Sequence, residues 1–266
     1  MEIGTVSAQS LQGMVITSTI GLVFPILAMI TLKVKTKCRI STFFIGFFAY
    51  MGFAMFLLGL FNGLIIRATD GTMTQNVVIY GIFYGLTAAC FGEFGRYYAM
   101  KYIIREKLDK RNSLMFGMGY GGAEAILLTG ANYFTYVFVA LSANYGTLEE
   151  TLNKMESQER IDTLEQIKFL WESEAASFYM AGVKCIAMLF IHVCLSYLIY
   201  RSVKYNDYRM MVLALLIHFM LEALIMLLGQ VVDIVSLTAG LGLVTIAFIV
   251  FTFKLYEKEG AEEAAV

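Results

Sequence analysis

Ionisable side chains are scarce in the long apolar segments of this chain, and the few that occur there could do acid–base or metal chemistry. The only two histidines, His192 and His218, both lie in such segments. Glu93, Glu124 and Glu222 do so as well. An ionised side chain at the centre of a bilayer costs about 2.5–3.5 kcal/mol on insertion scales. Each of these groups therefore needs a partner or a function.

Two neutral imidazoles and one or two carboxylates form a plausible shell for a divalent metal, with zinc as the default ion. Hydrolysis by a metal-bound water needs a further carboxylate that takes a proton from that water. Glu93, Glu124 and Glu222 are the candidates for this base. His218 and Glu222 are four residues apart in "HFMLE", so they share one face of a helix.

Each polar group also has a purely structural explanation. A histidine inside a membrane often serves as a hydrogen-bonding residue between helices. Glu93 and Arg96, three residues apart in "GEFGRYY", can neutralise each other near the membrane interface. The glycines of "GMGYGGAEA" form either a close-packing surface or a local break that lines a cavity.

The composition indicates that most of the chain lies in lipid. The sequence is 59% hydrophobic and 15% charged, and it contains one proline. Ordinary globular domains are about half apolar and about a quarter charged. The net charge of −1 gives no electrostatic footprint for nucleic acid. The lipid bilayer is the expected environment.

Seven segments are long enough to cross a membrane, since a crossing helix needs about 20 mostly apolar residues. The predicted fold is therefore all-α, a polytopic membrane protein forming one helical domain over residues 1–266. The predicted spans are Leu11–Leu32, Ser41–Ile66, Val77–Met100, Leu114–Leu141, Ser177–Tyr200, Met210–Gly229 and Ile234–Phe253.

The distribution of basic residues predicts the orientation. Fourteen lysines and arginines lie in one set of connecting segments and four in the other, which is a strong positive-inside signal. The N-terminus is therefore expected outside and the C-terminus inside. The inner set is Lys33, Lys35, Lys37, Arg39, Lys101, Arg105, Lys107, Lys110, Arg111, Arg201, Lys204, Arg209, Lys254 and Lys258. The outer set is Arg67, Lys154, Arg160 and Lys168.

One connection on the outer side, residues 142–176, is long. It carries eight acidic and three basic residues, with apolar residues at spacings of three and four. This pattern predicts one or two amphipathic helices over the outer face. The segment is read as a solvated extracytoplasmic hairpin, with a lid or a partner-docking element as the alternative.

The orientation also gives each buried group a depth. His192 and His218 are each eight residues from the inner end of their segment, and so lie about 12 Å deep at 1.5 Å per residue. By the same count, Glu93 lies about 10 Å deep, and Glu124 and Glu222 lie about 15–18 Å deep. The five groups are therefore expected in one half of the bilayer.

Four motifs, in this order on successive spans, resemble the YhfC family of bacterial intramembrane metalloproteases, which are distantly similar to the CAAX-protease and bacteriocin-processing (CPBP) membrane peptidases. They are "GEFGRYYAMKY", "GMGYGGAEAILL", "AGVKCIAMLFIHVCLSYLI" and "LLIHFMLEAL". The resemblance covers most of the chain from the third span onward. It implies a multi-pass protein of the cytoplasmic membrane that hydrolyses peptide bonds with a metal, expected to be zinc.

The resemblance carries over residue by residue, with departures. Glu93 and Arg96 match, but Gly92 stands where the family has the first of two glutamates. Gly121, Gly122 and Glu124 match, but Tyr120 stands where a histidine is usual. His192 and His218 match. The other departures are Lys184 and Cys185 in place of Glu-Arg, and Glu222 where Asp or Asn is common.

The first reading is therefore a membrane-embedded metallopeptidase acting on a membrane peptide or protein. His192 and His218 bind the metal, Glu222 or Glu124 completes the shell, and Glu93 acts as base. The alternative is a non-catalytic relative, a scaffold, immunity or partner-binding protein, which Gly92 and Tyr120 favour. A small-solute transporter is a further alternative, although the chain lacks the paired interrupted spans that transporters often show.

Overall fold

A computed structural model gives the architecture of the chain. It describes the backbone of residues 3–264 and the side chains of residues 3–261, so the ends of the predicted 1–266 domain lie outside the described residues. Seven helices in this range are long and apolar enough to cross a membrane. We number these spans from first to seventh. They are Ala8–Thr36, Ile40–Ala68, Val77–Lys107, Lys110–Asn144, Ala175–Tyr205, Tyr208–Leu228 and Ile234–Ala261.

All seven predicted spans are confirmed, and no strand occurs between residues 3 and 264. The protein is an all-α, multi-pass membrane protein. Most helices extend beyond the predicted apolar segments; the third, for example, continues from Met100 to Lys107. Hydropathy marks only where lipid begins and ends, whereas a helix can continue into the polar interface where its charged side chains are solvated.

Three spans contain a π-helical segment. These segments are Tyr50–Leu57 in the second span, Ala99–Ile104 in the third and Ala125–Gly130 in the fourth. A π turn inside an α-helix accommodates one extra residue and is frequent at functional sites. The segment in the second span begins at Tyr50, and the segment in the fourth span begins directly after Glu124.

The chain divides into two compact units. The outer-loop unit consists of Met1–Phe24 and Ala125–Ile186, and the polar-cluster unit consists of Pro25–Glu124 and Ala187–Val266. The first, fourth and fifth spans each contribute residues to both units. The single domain over residues 1–266 therefore stays a prediction.

The outer-loop unit contains the predicted amphipathic segment. It forms three short helices, Thr147–Leu152, Ser157–Ile167 and Phe169–Glu172. Leu148, Leu152 and Leu164 form one buried apolar cluster. The loop is thus a folded cap with its own core. Its assignment to the outer side remains a prediction.

Polar contacts fix the chain around this cap. The backbone N–H of Val6 donates to Asn144 Oδ1 at 2.8 Å, and Asn144 Nδ2 donates back to the Val6 carbonyl at 2.9 Å. Within the same unit, Thr17 Oγ1 donates to the Phe178 carbonyl at 2.6 Å. These bonds satisfy buried polar groups that lipid cannot satisfy.

In the polar-cluster unit, glycines allow the second and fourth spans to approach closely. A Cβ atom placed on Gly119 would lie 2.6 Å from the carbonyl carbon of Phe43, and closer still to its oxygen. A Cβ atom on Gly46 would lie 3.0 Å from the carbonyl carbon of Phe116. Such contact through small residues is the usual way in which helices associate in lipid.

The C-terminal end of the seventh span is held against the fifth span by one carboxylate. Glu259 is fully buried and accepts hydrogen bonds from Tyr197 at 2.6 Å, Tyr200 at 2.5 Å and Lys204 at 2.8 Å. Arg201 Nη1 lies 3.8 Å from the same carboxylate. Nothing in the sequence pattern singled out Glu259, so sequence reasoning missed this role.

We expect Gly119→Ala to lower the free energy of unfolding by about 1–3 kcal/mol, the usual effect of overpacking. The added methyl group would meet the backbone of Phe43, which cannot rotate away. Gly242→Ala is the matched control, because a Cβ atom there meets nothing within 4 Å among the described residues. Unfolding in detergent micelles measures both changes; equal stability of the two variants would contradict the close approach.

The orientation can be tested with single cysteines in a variant whose four native cysteines are replaced. Ser157 and Glu257 are both exposed, the former in the loop of residues 142–176 and the latter near the C-terminal end of the seventh span. A membrane-impermeant maleimide added to intact cells should label Ser157→Cys and leave Glu257→Cys unlabelled. The reverse labelling would refute the predicted orientation.

Candidate functional site

Five spans contribute side chains to one buried cluster in the polar-cluster unit, and its members are joined by hydrogen bonds and ring contacts. Glu93 and Arg96 come from the third span, Tyr120 and Glu124 from the fourth, and His192 from the fifth; His218 and Glu222 come from the sixth, and Tyr50 from the second. We call this set the polar cluster. It contains all five ionisable groups that the depth argument grouped together.

Arg96 lies at the centre of the polar cluster. Its Nη1 donates to Glu93 Oε1 at 2.5 Å, and its Nη2 donates to His192 Nδ1. Its guanidinium carbon lies 3.8 Å from the centroid of the Tyr120 ring, a cation–π distance. Both Arg96 and Glu93 are fully buried. The i,i+3 pair predicted from sequence therefore forms, and it also reaches two other helices.

The contacts of His192 define which of its nitrogens carries the proton. A guanidinium has only donors, so Nδ1 of His192 must accept the bond from Arg96. The proton of the neutral ring is then on Nε2, which donates to Glu124 Oε2. Both nitrogens of His192 are thus occupied by hydrogen bonds.

The contacts of His218 put a proton on its Nδ1. This nitrogen donates to Glu93 Oε1 at 2.7 Å, since a carboxylate can only accept. The other ring nitrogen, Nε2, lies 3.9 Å from Glu222 Oε1. The two histidine rings are 6.0 Å apart, centroid to centroid. Glu93 is the shared acceptor for Arg96 and His218.

The carboxylates at the edge of the polar cluster are partly accessible. The side chains of Glu124 and Glu222 are 23% and 21% exposed, whereas that of Glu93 is 0% exposed. A ligand that reaches the cluster from outside the protein therefore meets Glu124 and Glu222 first. Glu93, predicted as a base, lies behind them and holds Arg96 and His218 in place.

Tyrosine rings form one wall of the polar cluster. The Tyr120 ring lies 5.2 Å from that of Tyr50 and 5.4 Å from the His192 ring. Tyr120 is fully buried and Tyr50 nearly so. Tyr50 was missed in the sequence, because it is the last residue of the aromatic run "FFIGFFAY" and nothing in that pattern singles it out.

Two of the motif's four glycines, Gly121 and Gly122, have different neighbours. A Cβ atom on Gly121 would lie 3.0 Å from the His192 Cβ, so this glycine lets the fifth span approach. A Cβ atom on Gly122 would lie 3.3 Å from the Phe43 ring, on the side of the second span. The motif is α-helical up to Glu124, and a π-helical segment begins at the next residue, Ala125.

Gly92 also faces the polar cluster. A Cβ atom there would lie 2.8 Å from His218 Cε1 and 3.3 Å from Arg96 Nη1. Any side chain at position 92 would therefore enter the space that His218 and Arg96 use. Gly92 thus borders the polar cluster and Tyr120 belongs to it, and these are two of the positions at which the family resemblance led us to expect another residue.

The donor types of the polar cluster suit zinc, but their placement does not form a metal shell. Within residues 3–261, no three His, Cys, Asp or Glu side chains lie close enough together to hold one ion. His192 has no lone pair to offer while Arg96 holds Nδ1 and Glu124 holds Nε2. Among the same residues, Glu93 Oε2 has no hydrogen-bond partner, but this oxygen is buried. The predicted shell of His192, His218 and Glu222 is not assembled in this arrangement.

We expect Arg96→Met alone to destabilise the protein by about 3–5 kcal/mol, because it leaves the buried Glu93 carboxylate without its cation. Glu93→Gln/Arg96→Met removes both charges and should cost markedly less. Unfolding of both variants by denaturant in micelles measures the difference. A double variant as unstable as the single one would contradict the central role of the pair.

Comparison with known proteins points to the same family as the four motifs. The chain matches the family described as YhfC intramembrane metalloprotease over residues 20–258. It is 26% identical over 215 residues to a Bacillus subtilis (strain 168) protein described as an uncharacterized membrane protein YhfC, and the match covers 80% of this chain and 83% of that protein. No solved structure gives a significant match. A family match over nearly the whole chain, together with the relative and the seven spans, shows that this protein belongs to the YhfC intramembrane metalloprotease family.

Proposed function

We propose that this protein is a membrane-embedded peptidase that hydrolyses a peptide bond of a membrane-inserted polypeptide at the polar cluster. One observation carries the proposal: a histidine–carboxylate pair, His192 and Glu124, is anchored from behind by buried Arg96 and is accessible at its Glu124 end. The family description supports the reaction class.

The role of Glu124 is that of proton acceptor. In this proposal the Glu124 carboxylate takes a proton from a water molecule, and the hydroxide attacks the carbonyl carbon of the peptide. The C–N bond then breaks, and the leaving nitrogen receives the proton from Glu124. General acid–base catalysis of this kind contributes about 10²–10⁴-fold to a rate.

The other residues position Glu124. His192 Nε2–H holds the carboxylate, and Arg96 fixes the tautomer of His192 by donating to Nδ1. Glu93 holds both Arg96 and His218. The family description also points to a metal, and zinc is the ion that the donor types favour. Because the donor atoms of the polar cluster do not form a metal shell in this structure, the catalytic steps above use only the protein's own side chains.

We expect Glu124→Gln to abolish cleavage and keep the fold, because the amide retains the shape and loses the base. The assay is the protein reconstituted in liposomes with synthetic transmembrane peptides, and mass spectrometry detects new peptide termini. Glu257→Gln, which changes an exposed carboxylate outside the polar cluster, is the control. Cleavage that survives Glu124→Gln would refute the role of Glu124.

A non-catalytic role is the second candidate, and Gly92 and Tyr120 favour it. The carboxylate that the family pattern places at position 92 would lie against His218 and Arg96, and here it is missing. The histidine expected at position 120 is replaced by a phenol ring stacked on Arg96. In this case the polar cluster holds a membrane polypeptide without cutting it.

The same reconstituted system separates the two candidates. Peptides recovered intact, but bound to the wild-type protein and released by Glu124→Gln, would support the non-catalytic role. New termini that require Glu124 would support the peptidase. Elemental mass spectrometry of the purified protein, beside His192→Ala/His218→Ala, gives the metal content independently of both.

A further inference from the structure

The Tyr50 hydroxyl is a polar group of the polar cluster that has no role in the proposed reaction as described so far. Tyr50 is 5% exposed, and its ring packs edge-on against the Tyr120 ring at 5.2 Å and lies 6.4 Å from the His192 ring. Rings from the fourth and fifth spans therefore hold this phenol of the second span in place. A side chain held in this way can present its hydroxyl in the fixed geometry that catalysis requires.

The Tyr50 hydroxyl forms no hydrogen bond within residues 3–261. Each of the other buried tyrosines in this range donates one, either to the Gly92 carbonyl or to Glu259. The Tyr50 oxygen is also not among the fully sealed, unbonded side-chain atoms of the same range, so it keeps some accessible surface. A buried hydroxyl without a hydrogen bond is destabilising, and lipid supplies no acceptor. The Tyr50 hydroxyl is therefore available to a ligand.

Electrostatic interactions place this hydroxyl on the Glu124 side of the polar cluster. Of the two accessible carboxylates, Glu124 acts more strongly on the Tyr50 phenol than Glu222 does. Tyr84, a partly buried tyrosine of the third span, shows the reverse order, with Glu222 ahead of Glu124. Because a charge acts more strongly at a shorter distance, Tyr50 is the phenol of the two that borders Glu124.

The proposed reaction creates a negative charge that needs a hydrogen-bond donor. When the hydroxide attacks the peptide carbonyl, the π electrons of the C=O bond move to its oxygen and stay there until the C–N bond breaks. The bonded N–H groups of Arg96, His192 and His218 already donate within the polar cluster, and Arg96 Nε is buried. The Tyr50 O–H is the donor beside Glu124 that remains available for this oxygen.

We propose that Tyr50 is a catalytic residue: its O–H donates to the carbonyl oxygen of the peptide bond that is cleaved and stabilises the negative charge that develops there. This inference rests on the proposed function, because it requires a peptide bond beside Glu124. Glu124 then transfers the proton, and Tyr50 stabilises the charge from a different span. Losing one donor of this kind typically lowers kcat by about 10²–10³-fold.

The experiment measures kcat and KM of Tyr50→Phe in liposomes, with a transmembrane peptide that the wild-type protein cleaves. Phenylalanine keeps the ring against Tyr120 and His192 and removes only the hydroxyl. We expect kcat to fall about 10²–10³-fold, with KM and the melting temperature little changed, because the hydroxyl acts on the transition state. Tyr136→Phe, which changes a partly buried tyrosine of the outer-loop unit, is the matched control and should keep full activity.

The possible results separate this inference from the proposed function. Cleavage by Tyr50→Phe at the wild-type rate would overturn the inference alone, and so would a raised KM with an unchanged kcat. A loss of kcat in Tyr84→Phe but not in Tyr50→Phe would assign the donor to the wrong phenol. A wild-type protein that cleaves no peptide would refute the proposed function and this inference together.

A further variant decides the matter if Tyr50→Phe does not fold. Replacing Tyr50 with a fluorinated tyrosine keeps the ring and the hydroxyl and alters only the strength of the hydrogen bond that the hydroxyl donates. A changed kcat would support the inference, provided that the same replacement of Tyr136 leaves kcat as it was. An unchanged kcat would overturn it.

Discussion

The buried pair of Glu93 and Arg96 is the interaction on which the rest of the polar cluster depends. Both side chains are sealed from lipid and water, so each requires the other. The pair has a directional consequence as well. Arg96 can only donate and Glu93 can only accept, so Nδ1 of His192 must accept a hydrogen bond whereas Nδ1 of His218 must donate one. One ion pair thereby sets the chemistry of two further helices.

Close helix contact makes such a pair possible inside a membrane. Lipid offers no polar partner, so the helices must come near enough for their side chains to satisfy one another. Gly121 brings the backbone around His192 against the fourth span, and Gly92 leaves room beside Arg96 for the His218 ring. Substituting these glycines would affect the electrostatics of the site as much as its packing.

Much of the fold was predictable from the sequence, because lipid imposes one strong rule on every span. All seven helices follow from apolar length, and the shared depth of His192, His218, Glu93, Glu124 and Glu222 follows from counting along them. The contacts between helices did not follow. Depth says how far along a helix a group lies, but not which neighbour its side chain meets. Arg96 was thus paired with Glu93 alone, and its bond to His192 was not foreseen.

Other features had no distinctive pattern in the sequence. Tyr50 is one aromatic residue among many, and only the folded helices show that its ring lies 5.2 Å from that of Tyr120. Glu259 belongs to a stretch of small and acidic residues that reads as a tail. Its burial depends on Tyr197, Tyr200 and Lys204, which are about sixty positions earlier in the chain. Three-dimensional proximity of this kind requires the folded helices.

The π-helical segments have an evolutionary consequence. Each residue turns a regular α-helix by about 100°, so a single-residue deletion in a span normally rotates everything beyond it away from its neighbours. A π turn holds one surplus residue, and losing that residue restores an ordinary α-helix with both flanks still in phase. Segments such as Ala125–Gly130 are therefore the places where relatives can differ in length by one residue within a membrane helix. In an alignment of such relatives, the gap should fall in this segment, next to Glu124, and Glu124 should stay aligned with its counterparts.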